Sequence, residues 1–202
     1  MTIILINVVI LLVASFFFGT WIRKLHWILY GISLGIGVYS FTQEITIINM
    51  GYVGLSFFLV VMFMSGLNPG KLRKRLMGNR AEYAIIGGIF VLVHGLKYMI
   101  YALDFSFFWV APIYFYIGIF SVIVMIPLWM TSFMLIRKKM KGKSWKKLHK
   151  LAYVFYIMVF IHLIWINNQR IWFYVSLALL YIFVKYWDYL VTIKHIDTRK
   201  MT

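Results

Sequence analysis

At 202 residues, with 63% hydrophobic and 20% aromatic side chains and a mean hydropathy of +0.88, the chain has more apolar surface than a soluble domain of this size can bury. A water-soluble globular fold is excluded, and the bilayer is its solvent. The charge of +16, from 21 Lys plus Arg against 5 Asp plus Glu, lies between hydrophobic runs without interleaved groove aromatics, which argues for membrane topology and against nucleic acid as a partner; the absence of cysteine removes disulfides, iron–sulfur ligation and thiol catalysis.

A spanning helix needs about 20 mostly apolar residues, and seven runs are candidates: 3–21, 27–41, 47–67, 81–103, 111–136, 148–166 and 171–190. The first lacks a basic leader and a small-residue cleavage site, so it reads as a retained helix rather than a signal peptide. The second is the shortest, and its Gly31 and Gly35 have the spacing that permits close helix approach. The fourth carries Gly87, Gly88, His94 and Lys97; the fifth carries Pro127, expected to kink it. His149 opens the sixth, which also holds His162. The seventh follows Arg170 and runs into a basic tail with Lys194, His195, Arg199 and Lys200.

The loops fix an orientation. Arg23 and Lys24, then Lys71, Arg73, Lys74, Arg75 and Arg80, then seven cations between 137 and 147 fill the odd-numbered loops, whereas the even-numbered ones hold Glu44, Asp104 and Arg170. Positive-inside bias then predicts an all-α, polytopic transmembrane bundle of about seven helices in an inner or plasma membrane, N-terminus out and C-terminus in. No Walker-type or dinucleotide-binding glycine pattern occurs, so a nucleotide would be handled by a partner.

Histidines within a bilayer call for a reason. His94 and His162 each lie 13 or 14 residues from the basic ends of their runs, about 20 Å along the helix, and so share one depth in the outer half of the membrane. Two neutral imidazoles at one depth on facing helices are what a bis-histidine haem requires. The competing readings are a hydrogen bond to a neighbouring helix, a polar pathway in a non-redox transporter or channel, or a structural subunit in which both histidines are replaceable. Glu82 and Asp188, near inner ends, are too few to continue a proton relay.

His149 is either an interfacial histidine among lysines or a ligand to a second, inner haem. Its counterpart on the fourth run would fall near residue 80, which is Arg80; by depth His26 is the nearest alternative. His195 reads as solvated. Lys97 follows His94 by three residues and either snorkels outward or pairs with a haem propionate, as Arg170 could do from its loop. Arg75 and its neighbours Arg73 and Lys74 mark topology, or hold an anionic head group, a flavin phosphate or an acidic partner. Phe90, Tyr98, Phe155, Tyr156, Phe160 and Trp165 suit packing around a porphyrin and suit a membrane core equally well.

The stretch from Gly51 to Trp165 resembles the ferric reductase-like transmembrane superfamily, and within it the haem-binding membrane subunit of the periplasmic methionine sulfoxide reductase system, the MsrQ or YedZ family. The residues that carry the resemblance are the basic stretch before the fourth run; Val93, His94 and Tyr98; Leu128, Thr131 and Ser132; a Trp-x-x-Leu-His-x-x-x-Tyr pattern at Trp145, Leu148, His149 and Tyr153; and Ile161, His162 and Trp165. The resemblance implies a b-type haem protein that takes electrons from a quinol or flavoprotein on the cytoplasmic side to an extracytoplasmic reductase or other acceptor. Family ligands map onto His94, His149 and His162, with one haem, or two, and FMN or quinone as further cofactors. The family core has six helices, which divides the chain into an added N-terminal helix (1–22), a haem-binding core (23–192) and a basic cytoplasmic tail (193–202). Phe107 stands about 13 residues after His94, where NADPH oxidases carry a second histidine.

Overall fold

The computed structural model describes residues 1–43, 45–46, 51–67, 70–101, 103 and 109–200, without the side chains of 101 and 192–200. The expectations placed on Glu44, Asp104 and Phe107, and on the side chains of Lys194, His195, Arg199 and Lys200, lie outside what is described. Every described element is helical: α1 (Thr2–Lys24), α2 (His26–Gln43), α3 (Tyr52–Met64), α4 (Lys71–Met77), α5 (Arg80–Tyr101), α6 (Ile113–Met130), α7 (Met134–Arg137), α8 (Gly142–Leu148), α9 (Leu151–Ile166), a 3-10 turn (Asn168–Arg170) and α10 (Ile171–Lys200).

Each of the seven predicted runs contains a helix, and the architecture is an all-helical transmembrane bundle. Among the described residues, five stretches are long and apolar enough to cross a bilayer: Thr2–Lys24, Arg80–Ile100, Ile113–Met130, Gly142–Ile166 and Asn168–Val191. The helix found in the third run has 13 residues, about 20 Å against a hydrocarbon core of about 30 Å. In the second run, α2 has 18 residues diluted by glycine, serine and tyrosine. The fifth run divides into α6 and α7, with Pro127 in the last turn of α6.

α3 is apolar around its whole circumference, the pattern of a helix enclosed on all sides, and Leu59, Val60, Met62 and Met64 are buried accordingly. Small residues bring it against α5. A Cβ at Gly54 would stand 3.2 Å from the Gly87 carbonyl oxygen, and one at Gly87 would stand 2.8 Å from the Phe57 Cβ. The expected close approach at Gly31 and Gly35 does not occur, since a Cβ at either would meet nothing within 4 Å. α2 instead turns Tyr30, Ser33, Gly37 and Ser40 inward, with Gly37 against Val93 of α5, and leaves its apolar Ile32 and Leu34 exposed.

Contacts between loops sort the bundle into two ends. Arg23 donates to Asn79 (3.1 Å) and Tyr30 meets Phe133 edge-on (5.9 Å), which gathers the three cation-rich loops at one end. Arg170 donates to the Tyr52 hydroxyl (2.9 Å), which joins the second and sixth loops at the other. α10 is tied to the core by the Arg73–Asp188 ion pair (3.1 Å) and by Lys185 donating to the Ser65 carbonyl (3.1 Å); cations there complement the carbonyl end of α3.

Candidate functional site

A cavity of about 530 Å³ opens between α3, α5, α6, α9 and the start of α10, at the cation-poor end, and both His94 and His162 line it. Its volume is in the range that holds cofactor-sized ligands. The walls are chiefly apolar, with Leu55, Leu59, Val91, Val122 and Val159 among them, and the polar groups gather near Tyr52, Asn167, Arg170 and Tyr174. An apolar slot with a few convergent polar groups suits a flat, mostly hydrophobic molecule with charged substituents at one edge.

The His162 ring is fixed by the backbone of α6. Its Nδ1 lies 2.7 Å from the Tyr114 carbonyl, which can only accept, so Nδ1 carries the proton and the neutral ring keeps its lone pair on Nε2. A histidine that ligates a metal is held in this way, its second nitrogen donating to a carbonyl that sets tautomer and orientation. One turn further along α6, Gly118 leaves the space the ring needs, because a Cβ there would stand 2.8 Å from Cε1.

His94 lines the same cavity from α5. Its ring lies over Gly51, where a Cβ would come within 3.3 Å of Cγ, and Gly51 has φ of 71°, a left-handed conformation that glycine adopts without strain. Tyr98, one turn on, meets the imidazole edge-on at 5.0 Å. Each histidine is thus bedded on a glycine, a feature that no spacing rule in the sequence reveals.

The other predicted site residues are distributed differently. Arg170 lines the cavity and donates to Tyr52. Lys97 is half-buried on α5 and is not among the lining residues. Arg75 is at the opposite end, exposed, with its guanidinium 4.7 Å from the Phe16 ring centroid. Of the predicted aromatics, Tyr98, Phe155, Tyr156 and Phe160 line the cavity; Phe90 is buried in the core between α2 and α5, and Trp165 is exposed.

His149 is separate from the cavity. It caps α8, its ring tilted by 31° against that of Trp145 with centroids 4.1 Å apart, and with Nε2 3.1 Å from the Thr131 hydroxyl. Thr131 already donates its proton to the Pro127 carbonyl at 2.7 Å, so Nε2–H of His149 is the donor and its Nδ1 keeps the lone pair. His26 sits against Trp27 and Tyr30, its Nδ1 2.7 Å from the Arg23 carbonyl. Among the described residues, no three His, Cys, Asp or Glu side chains gather where a metal ion could be held.

The family model described as "Ferric reductase like transmembrane component" matches residues 50–160, a stretch that contains His94 and His149 and ends two residues before His162. A protein of Treponema pallidum (strain Nichols), described as an uncharacterized protein, is 37% identical over 115 residues, which are 52% of this chain and 31% of that protein. The chain thus covers about a third of that relative's length. No solved structure matches the chain.

Proposed function

The chain belongs to the ferric reductase-like transmembrane component family, and from that premise we propose that it is a b-type haem subunit passing electrons across the membrane, with His94 and His162 as the residues that would hold the haem. The observation that carries this reading is the placement of both imidazoles in one cavity, with His162 locked in the tautomer that offers Nε2. Haem held there would supply reversible one-electron acceptance and donation near the potentials of biological carriers.

The residues around it have definable tasks. The Tyr114 carbonyl and Gly118 hold the His162 ring, and Gly51 supports that of His94. Apolar walls exclude water and keep the local dielectric low, which raises the weight of each nearby charge. Arg170, fixed by Tyr52, is the cation placed to meet a propionate at the polar edge.

The basic end faces the cytoplasm in this reading, where a quinol or flavoprotein donates, and the cavity lies toward an extracytoplasmic acceptor, such as the periplasmic methionine sulfoxide reductase that the MsrQ-like sequence features suggest. His149, with Nε2 engaged by Thr131, is not assigned to the haem in the cavity, so one haem per chain is the stoichiometry proposed. Reduced-minus-oxidised spectra of the haem-supplied wild type, His94→Ala and His162→Ala test the reading. A b-type band in the wild type that is lost in both variants supports it; a haem-replete preparation with no such band overturns it.

A further inference from the structure

A second, smaller cavity of about 260 Å³ lies at the basic end, where α1 meets α4, lined by Phe16, Phe17, Gly19, Thr20, Arg23, Lys74 and Arg75. Its lining has three cations and no acid. Loop cations in a membrane protein ordinarily mark topology and wave in water, but two of these are held in place. Arg23 donates to Oδ1 of Asn79 (3.1 Å), and the Asn79 amide in turn donates to the Ser15 hydroxyl (2.7 Å). Asn79 and Ser15 are both fully buried, so the guanidinium is anchored to a polar knot inside the bundle.

Two glycines make that knot possible. A Cβ at Gly19 would stand 2.5 Å from the Asn79 amide nitrogen, and one at Gly78 would stand 2.7 Å from Arg23 Nη1. The second cation, Arg75, lies over the Phe16 ring at 4.7 Å, which restrains it as well. Below the cations, Phe17 is 67% exposed on the flank of α1. Fixed cations above an outward apolar surface match a molecule with an anionic head and a hydrocarbon tail, which is the composition of a basic lipid pocket between membrane helices.

We propose that the pocket formed by Arg23, Lys74 and Arg75 binds the phosphate of an anionic phospholipid, with its acyl chain along Phe16 and Phe17. The bound lipid joins α1 to α4. The site is independent of the haem assignment, since none of its residues lines the larger cavity.

The test is native mass spectrometry of the full-length protein, delipidated in detergent and titrated in parallel with phosphatidylglycerol, phosphatidylcholine and glycerol phosphate. The expected result is retention of one phosphatidylglycerol at a concentration about 10-fold or more below that needed for phosphatidylcholine, each nearby cation contributing to the preference. Glycerol phosphate alone is not retained. The Arg23→Gln/Arg75→Gln variant loses the preference, and Lys24→Gln/Lys138→Gln, with the same change in charge, keeps it. Should Arg23→Gln fail to fold, Lys74→Gln/Arg75→Gln carries the same expectation, because both of those side chains are exposed. Equal retention of the two lipids by the wild type, a preference that survives the pocket variants, or retention of glycerol phosphate equal to that of the lipid each overturns the proposal.

Discussion

The imidazole of His162 is hydrogen-bonded to the main-chain carbonyl of Tyr114, 2.7 Å away on the neighbouring helix. A backbone acceptor cannot be removed by substitution, so the orientation of this ring depends on where α6 lies rather than on another side chain. His162→Ala is therefore expected to lose the b-type band while leaving the partner carbonyl intact. Imidazole added during haem loading is expected to restore part of the band, because the Tyr114 carbonyl remains to orient it. His149→Ala is expected to keep the ratio of haem to protein unchanged in a pyridine haemochrome assay; a halved ratio would assign His149 to a second haem.

The glycines under the two rings give a finer probe. Gly118→Ala places a methyl group 2.8 Å from Cε1 of His162, and this crowding is expected to cost about 1–3 kcal/mol. Gly51→Ala adds about 1–2 kcal/mol of left-handed backbone strain to a 3.3 Å contact with His94. Both variants retain both histidines, so under the proposed ligation the expected signature is a changed low-spin ferric electron paramagnetic resonance spectrum with lowered thermal stability, rather than simple loss of haem. A spectrum identical to wild type in both would separate the rings from the iron.

That His94 and His162 belong to one region of the bundle was legible from rise per residue, and both line one cavity, because both distances were counted from basic loops that the structure gathers at one end. Helix contacts were not legible to the same degree. Gly31 and Gly35 have the same chemistry as Gly54 and Gly87, yet only the latter pair meets another helix, since small size permits close approach without saying which face is turned inward. Gly118 and Tyr114 escaped notice for a related reason: one acts through missing atoms and the other through its backbone, and neither leaves a mark in a scan for ligating side chains. The partner of His149 was hidden by reading 111–136 as one run, when the helix stops at Met130 and frees Thr131 to meet the imidazole.

Arg170 stands at the polar edge of the cavity, bonded to Tyr52. With haem in the cavity as proposed, a nearby cation favours the reduced, less positive state, so removing it lowers the midpoint potential. For Arg170→Gln the expected change is a decrease on the order of tens of millivolts, the electrochemical equivalent of roughly 1 kcal/mol from a partly exposed ion pair. Tyr52→Phe is expected to shift the potential in the same direction and by less, because it frees the guanidinium without deleting it. Redox titration of the band measures both, and an unchanged potential in Arg170→Gln would place the propionates elsewhere.

α1 and α2 lie outside the family-matched stretch, yet α1 is bonded to the core at two levels. Tyr83 donates to the Leu11 carbonyl at 2.7 Å, and a turn further along α1 Asn79 joins Ser15 and Arg23. Both partners of Asn79 are spaced along one face of α1, so the amide acts as a clasp in a region where water cannot replace it. Asn79→Ala leaves the Ser15 hydroxyl without this donor and Arg23 without this acceptor, at a cost of about 1–3 kcal/mol for the buried group alone. Asn79→Asp keeps an acceptor for Arg23 but loses the donor to Ser15, and it is expected to be less damaging because the new carboxylate is paired with the guanidinium. Unfolding of the full chain by sodium dodecyl sulfate, followed by tryptophan fluorescence, is expected to rank wild type above Asn79→Asp and Asn79→Ala lowest. If the alanine variant equals wild type, α1 is held by apolar packing and the clasp contributes nothing.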